Sequence, residues 1–395
     1  MRVHVRVLVL ALLACVLTAA FASAAQAVEA PREKARFIAT NCEFGFEACG
    51  SESIEPVPDG LKYIIPKEKI TDEEAETEGF TQAGGRVPFG VTDFKIKTIG
   101  EYPNAAPTEI VKHVRVDVSS GLATSPAAVP MCSAEEFGNK EVAPESGLFL
   151  APTCKGETEI GTEQVTLYLG ENALGAGISD LPISGTVYNL VQPEGLASYY
   201  GAALPLPKAI TEAKGLGATQ FYVHSFVEGN VEWGEEAEGT GAGDYHDYFK
   251  VNVSTAIPLI SSRQVLYGTR GNGAFITNAT ACPGDHTTYL SLENTASETT
   301  RESFTTPIAL KGCESLAFEP KLAFSGGSTI SDEPDQLTTE VSEENNPEEN
   351  SPSQVKTASI TLPEGMTLNP SAANELEACT PSQARIHSDV FGVEC

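Results

Sequence analysis

Apolar and polar residues alternate with a period of two along most of the chain from Thr81 onwards, in short runs bounded by Gly, Pro, Asn or Ser. This pattern predicts antiparallel strands with one face in water. The clearest predicted strands are Val114–Val118, Val165–Leu169, Phe221–Val223, Phe249–Val253 and Tyr289–Leu292. We therefore predict an all-β fold built from antiparallel β-sandwich modules, either immunoglobulin-like or jelly-roll-like.

Helices are expected to be few. Only Ser133–Phe137 and Ala209–Lys214 have a helical pattern within this region, and both are brief. The chain also contains 35 glycines and 25 prolines, residue types that disfavour helix interiors. Strands should therefore form most of the structure.

Two segments of the chain repeat one pattern. Val114–Cys132 and Ala358–Cys379 each contain an alternating strand, a Gly followed by an apolar residue, a Pro five positions after that Gly, and a Cys. A capping box follows each Cys, Ser133–Glu136 in the first copy and Thr380–Gln383 in the second. The recurrence predicts tandem modules with a period of about 245 residues. Because the chain stops at Cys395, we expect the second copy to be incomplete and the chain to be a fragment.

The N-terminus has the features of a secretory signal. Arg2, His4 and Arg6 precede the apolar run Val7–Ala20, and small residues surround a predicted cleavage site after Ala27. The predicted organisation is a signal peptide at 1–27, a leader with a small cysteine loop and a charged spacer at 28–80, sandwich modules at 81–320, and a truncated second copy at 321–395 with an acidic, mobile loop at 331–352.

Eight cysteines remain after removal of the signal, and an even number in an exported chain favours disulfides. Sequence alone allows 105 pairings. We predict bonds between neighbours, because in both copies of the repeat the Cys after the Gly/Pro turn has another Cys a short distance downstream. The predicted pairs are Cys42–Cys49, Cys132–Cys154, Cys282–Cys313 and Cys379–Cys395.

The formal net charge is −29, and about −31 without the signal. Such acidity argues against nucleic acid and anionic membrane as partners, since both need a basic surface. It is compatible with cations, and the acidic tract 331–352 could bind calcium, although it lacks the EF-hand pattern. The mature chain contains no predicted transmembrane segment, and no cofactor is expected.

The search for an active site is largely negative, because the chain lacks the G-x-S-x-G, H-E-x-x-H, P-loop and Rossmann motifs. We predict no catalytic residue and no enzyme activity. The densest polar and aromatic cluster lies near the only tryptophan, and its candidate ligand residues are Trp233, Asp244, His246 and Tyr248. In an extended strand the last three point to one side. The alternative, which we favour, is a strand with buried rings and a salt-bridged histidine.

Several segments resemble large secreted all-β repeat proteins of actinobacteria that have no assigned activity. The resemblance covers about Thr81–Cys395, and its most specific part is LPEGMTLNPSAAN at Leu362–Asn374. It implies an extracellular all-β protein and transfers no site residue. We therefore expect a secreted or cell-surface structural or adhesive protein whose partner is a cell-wall polysaccharide or surface protein. The alternatives are an extracellular carbohydrate- or calcium-binding module, and a secreted hydrolase that uses His246 with Asp244.

Overall fold

The computed structural model describes residues 32–44, 49–54, 63–138, 147–174, 177–213, 219–234, 244–254, 256–271, 273–282, 284, 286–328, 330, 337–344, 349–355, 357–362, 364–366, 380 and 382–384. The predicted signal peptide at 1–27 and the predicted Cys379–Cys395 pair lie outside these residues.

The described strands, in chain order, are β1 (Arg32–Glu33), β2 (Arg36–Cys42), β3 (Ser51–Ile54), β4 (Tyr63–Pro66), β5 (Phe89–Lys95), β6 (Thr98–Ile99), β7 (Ala106–Pro107), β8 (Val111–Asp117), β9 (Ala123–Thr124), β10 (Glu159–Tyr168), β11 (Asp180–Asn189), β12 (Ser198–Pro205), β13 (Tyr222–Gly234), β14 (Asp244–Asn252), β15 (Leu259–Tyr267), β16 (Thr269–Arg270), β17 (Gly273–Ala274), β18 (Ile276–Thr277), β19 (Thr287–Asn294), β20 (Thr299–Thr305), β21 (Lys321–Gly326) and β22 (Leu337–Ser342). The α-helices are α1 (Asp72–Glu78), α2 (Ala134–Gly138) and α3 (Lys208–Ala213). None of the helices in the described ranges is long and apolar enough to cross a membrane.

Eleven strands form one antiparallel sheet in the order β2-β5-β15-β10-β11-β12-β13-β14-β8-β19-β20. The sheet curls until its edge strands β2 and β20 approach each other, so that it nearly closes into a barrel. The prediction of an all-β antiparallel fold is confirmed. A sandwich would divide the strands between two facing sheets, whereas these strands share one continuous inner face.

The period-two alternation decides which side chains enter the curled sheet. In β8, Val114 and Val116 face inwards, and Arg115 and Asp117 face outwards. The inner face carries an apolar core that includes Phe37, Phe94, Val114, Val116, Val165, Ile183, Leu204, Leu259, Leu290 and Leu292. Burial of this continuous apolar surface is the main stabilising contribution to such a fold.

The segment 28–80, which we expected to be a leader with a spacer, contributes to the sheet. Strand β2 pairs with β5 along its whole length. Both sides of β2 contribute buried side chains, since Phe37 belongs to the inner core and Ile38 packs against Ile70 and Ala75 on the outer side. The β3–β4 hairpin also brings Ser51 to the outer face, where it donates to the buried carboxylate of Asp93. Asp93 accepts a second bond from buried Arg263 at 2.9 Å.

Three disulfides are present among the described residues, Cys42–Cys49, Cys132–Cys154 and Cys282–Cys313, and each joins neighbouring cysteines. They close loops next to β2, across α2, and around the β19–β20 hairpin. Each bond of this kind contributes about 3 kcal/mol to stability by restricting the unfolded chain.

The two segments of the predicted repeat agree in the turn and cap residues that the structure describes. Gly121 and Gly365 both have a positive φ, +86° and +91°, a conformation that Gly adopts without strain. The capping boxes at Ser133–Glu136 and Thr380–Gln383 are both formed, with matching pairs of hydrogen bonds.

The copies differ in their strands. Strand β8 lies between β14 and β19, whereas residues 358–362 in the second copy are not in a strand. A strand needs partners for its backbone groups, and among the described residues β14 and β19 supply them to β8. The tract 331–352 was expected to be a loop, but β22 lies within it, because Thr338, Thr339 and Val341 favour strands and pair with β21.

Candidate functional site

Strands β8, β13 and β14 bring four charged or titratable side chains together on the outer face of the sheet. We call Arg115, Asp117, Glu232 and His246 the outer-face cluster. The strand register produces it, because Glu232 lies opposite His246, and the β14 residue Tyr248 lies opposite Asp117. The cluster therefore depends on residues that are far apart in the chain.

The outer-face cluster is a closed ion-pair network. Nε2 of His246 lies 3.0 Å from Oδ1 of Asp117, and both side chains are fully buried. Nε of Arg115 donates to both Asp117 oxygens at 2.9 Å, while its Nη2 atom pairs with Glu232. The guanidinium also lies over the Tyr248 ring, 4.2 Å from its centre. Charges and hydrogen-bonding groups are mutually satisfied.

The four predicted ligand residues do not form one site. His246 and Tyr248 share the outer face, but Trp233 lies opposite Tyr245 in the register and 5.3 Å from its ring, in the other phase of β13 and β14. The Asp244 carboxylate accepts a bond from the Tyr245 backbone N–H, and only its carbonyl oxygen lies near His246. The acidic partner of His246 is Asp117, which sequence reasoning did not select.

The donor atoms of Asp117, Glu232 and His246 lie within 4.8 Å of one another, a spacing that could suit a metal ion. However, Arg115 donates to both carboxylates and supplies the positive charge that a metal would bring. Arg115 therefore already provides a positive charge next to both carboxylates, and the geometry of the cluster is accounted for by this pairing. The network also contains no serine, threonine or cysteine nucleophile.

A second candidate site is a cavity of about 150 Å³ inside the curled sheet. It lies toward the end of the sheet where β2 ends and β5 begins, next to Asn41 and Gly90. The walls of the cavity are mainly apolar and include Val116, Tyr200, Val227, Phe249, Val251 and Leu266.

Glu163 on β10 is the acidic residue of this cavity, and it is only 6% exposed. Its Oε1 atom accepts a hydrogen bond from Oγ of Ser262 at 3.1 Å. Its Oε2 atom is buried and has no hydrogen-bond partner among the described residues. Burial raises the pKa of Glu163 to about 7, and the bond from Ser262 opposes that rise.

Comparison with protein-family models, with curated proteins and with solved structures gives no match for this chain. The two candidate sites therefore have to be ranked by their geometry. The outer-face cluster is internally paired. The cavity combines free volume with an unpaired buried acceptor, so it is the better candidate for a binding site.

Sequence reasoning missed Glu163, although a signal was present. Glu163, Val165 and Leu167 are in phase along β10, so an acidic residue occupies a position of the apolar series. A charged residue in a buried phase is unusual unless it is paired or has a functional partner.

Proposed function

We propose that this chain is an extracellular, disulfide-braced binding protein that holds a small, mainly apolar molecule inside its curled sheet. The observation that carries the proposal is the interior cavity with the unpaired Oε2 atom of Glu163. The interior of a closed or nearly closed sheet is a common location for a bound ligand. Ligand sites are typically concave, with apolar walls and a few polar groups.

Packing supports this proposal. Protein interiors are normally as dense as organic crystals, and voids larger than a water molecule are few. A cavity of about 150 Å³ is large enough for a molecule of roughly the size of benzene. A buried acceptor without a partner also destabilises the empty fold. A ligand that fills the space and donates to Glu163 would remove both costs.

The chemical setting supports an extracellular protein. The three disulfides are compatible with an oxidising compartment, and the sequence predicts export. The pairing within the outer-face cluster gives no support to the hydrolase alternative. The placement of Trp233 in the opposite phase to His246 weakens a joint carbohydrate site.

The test is whether the purified chain binds two neutral apolar probes, benzene and toluene. Binding is measured by ligand-detected NMR and by thermal unfolding. We expect saturable binding and a raised melting temperature. Ala39→Leu places a larger side chain in the cavity wall and should abolish binding. The matched control is Ala323→Leu on the exposed strand β21, which should bind as the wild type does. Absence of saturable binding to the wild-type chain would exclude the proposal.

A structural or adhesive role is a second candidate, favoured by the β21–β22 hairpin. One face of this hairpin carries exposed apolar side chains: Leu322 (55% exposed), Phe324 (50%), Val341 (44%) and Leu337 (38%). Contiguous exposed apolar surface is typical of protein contacts, so a protein partner fits better than a polysaccharide.

We test the adhesive candidate as association between copies of the chain by sedimentation velocity at several salt concentrations. High salt screens the repulsion expected between acidic molecules and should promote association. Leu322→Ser with Phe324→Ser should prevent it. The control is Ala323→Ser with Ser325→Ala on the other face. A chain that stays monomeric at every salt concentration would remove this form of the role.

A further inference from the structure

We propose that the molecule held in the interior cavity is a small apolar amine whose protonated nitrogen pairs with Glu163. This inference rests on the proposed function and specifies the chemical class of its ligand. The decisive juxtaposition is a buried, half-satisfied carboxyl group in a mainly apolar cavity whose described lining contains no lysine or arginine.

The charge balance of the cavity is one-sided. Among the described residues that line it, Glu163 is the one acidic side chain, and none is lysine or arginine. The neighbouring strands β11 and β15 place Gly185 and Gln264 opposite Glu163 in the register. The other titratable side chains of the lining are Tyr200 and His286, from other parts of the interior.

A carboxyl group in this position favours a cationic donor. An unpaired carboxylate in an apolar interior is strongly unfavourable, and ion pairing with hydrogen bonding offsets that penalty. A neutral alcohol can donate a hydrogen bond to Oε2, whereas an ammonium group donates a hydrogen bond and also pairs its positive charge with the negative charge of the carboxylate. Carboxylates and phosphates would meet a like charge and are disfavoured.

The walls select the rest of the ligand. Tyr200 and Phe249 contribute aromatic rings, and Val227, Val251 and Leu266 contribute aliphatic surface. A single aromatic ring or a branched aliphatic group suits both this lining and the volume of about 150 Å³. Ring faces also attract cations. The chemical class is therefore a monoamine with a compact apolar body, rather than a polyamine or an amino acid.

The pH dependence follows from the ionisation of Glu163. Burial raises its pKa to about 7, so an ion pair with an amine requires proton loss from Glu163 and should form more readily as pH rises through 7. Probes without a basic nitrogen should not show this dependence. The comparison of charged and neutral probes therefore isolates the interaction with Glu163.

The experiment is calorimetry of the purified chain with benzylamine, benzyl alcohol and toluene at pH 5.5 and pH 8. At pH 8 we expect benzylamine to bind about tenfold more tightly than benzyl alcohol, the factor expected from one additional charge-assisted interaction. This preference should disappear at pH 5.5. Glu163→Gln should remove the preference for benzylamine over benzyl alcohol at pH 8.

The matched control is Glu157→Gln, an exposed residue in the short 3-10 helix before β10, which should keep the preference. Thermal unfolding of each variant establishes that it is folded. Toluene binding without any benzylamine preference would overturn the amine inference and leave the proposed function intact. A preference that survives Glu163→Gln would also overturn it. If no probe binds the wild-type chain, both fail.

Discussion

The Nε2 atom of His246 lies 3.0 Å from Oδ1 of Asp117, and both side chains are fully buried although 129 residues separate them in the chain. The pair exists because β14 and β8 are neighbours in the curled sheet. Arg115 extends it from Asp117 to Glu232, so a single network joins three strands. The network gives each buried charged group of the outer face a partner of opposite charge or a hydrogen-bond partner.

Removal of the Asp117 charge should destabilise the fold strongly. Asp117→Asn leaves Arg115 and His246 without their shared carboxylate, and breaking a buried pair in this way costs about 3–5 kcal/mol. Asp244→Asn is the control, because that carboxylate is exposed and should change stability by less than about 0.5 kcal/mol. Urea unfolding measures both variants. Equal, small effects would show that the network contributes little.

Glu163→Gln should stabilise the protein at neutral and alkaline pH. Burial raises the pKa of Glu163 from its ordinary value of 4.5 to about 7 in the folded state. Below pH 4.5 both the folded and unfolded states are protonated, so ionisation does not affect folding. Between pH 4.5 and pH 7 the unfolded state loses this proton while the folded state still holds it, so stability falls over this range and the loss is complete above about pH 7.

The measurement is the difference in unfolding free energy between Glu163→Gln and wild type from pH 4.5 to pH 8.5. We expect the difference to be small near pH 4.5, to grow in favour of the variant up to about pH 7, and to stay nearly constant above that. A difference that is constant with pH would contradict the ionisation of a buried Glu163. Glu157→Gln again serves as the exposed control.

His224 should make the fold sensitive to acid. Its ring lies between Phe149 and Phe137, with ring centres 4.2 and 4.3 Å away, and neither of its nitrogens has a hydrogen-bond partner among the described residues. Burial lowers the pKa of His224 from 6.5 to about 4. Stability is therefore fully present above pH 6.5 and is lost as pH falls from 6.5 towards 4, because the unfolded state binds the proton first.

His224→Phe keeps the aromatic stack and removes the titrating group. We expect the free energy of unfolding of the variant to exceed that of the wild type by about 1 kcal/mol at pH 5. This value is discounted for the partial exposure of the His224 ring. The two should differ less at pH 8. Chemical denaturation at both values of pH measures this. A gain that is the same at pH 5 and pH 8 would assign the effect to packing alone.

Non-reducing peptide mapping should recover the pairs Cys42–Cys49, Cys132–Cys154 and Cys282–Cys313, together with the predicted Cys379–Cys395. Replacement of Cys132 and Cys154 together by alanine should lower stability by about 3 kcal/mol, because the bond closes a loop with a sequence separation of 22 residues. A peptide that links Cys132 to Cys282 would refute neighbour pairing.

Local features were predictable because they depend on residues close in sequence. The alternation at Val114–Val118 predicts β8, and the capping boxes predict where helical turns start. The signal in β10 was also local, since Glu163 shares the phase of Val165 and Leu167. By contrast, Asp244 was the nearest acidic residue to His246 in sequence, and proximity in sequence did not predict the partner that strand pairing provides.

The sequence by itself determined the all-β character, the antiparallel alternation and the acidity, and it favoured bonds between neighbouring cysteines, because period, composition and short loops are local properties. Only the tertiary structure decided that β2 and β20 would approach each other and nearly close the sheet, that Asp117 would meet His246, and that Glu163 would face a cavity. These outcomes depend on strand order and curvature, which arise from the packing of the whole inner face and are not encoded in any one segment.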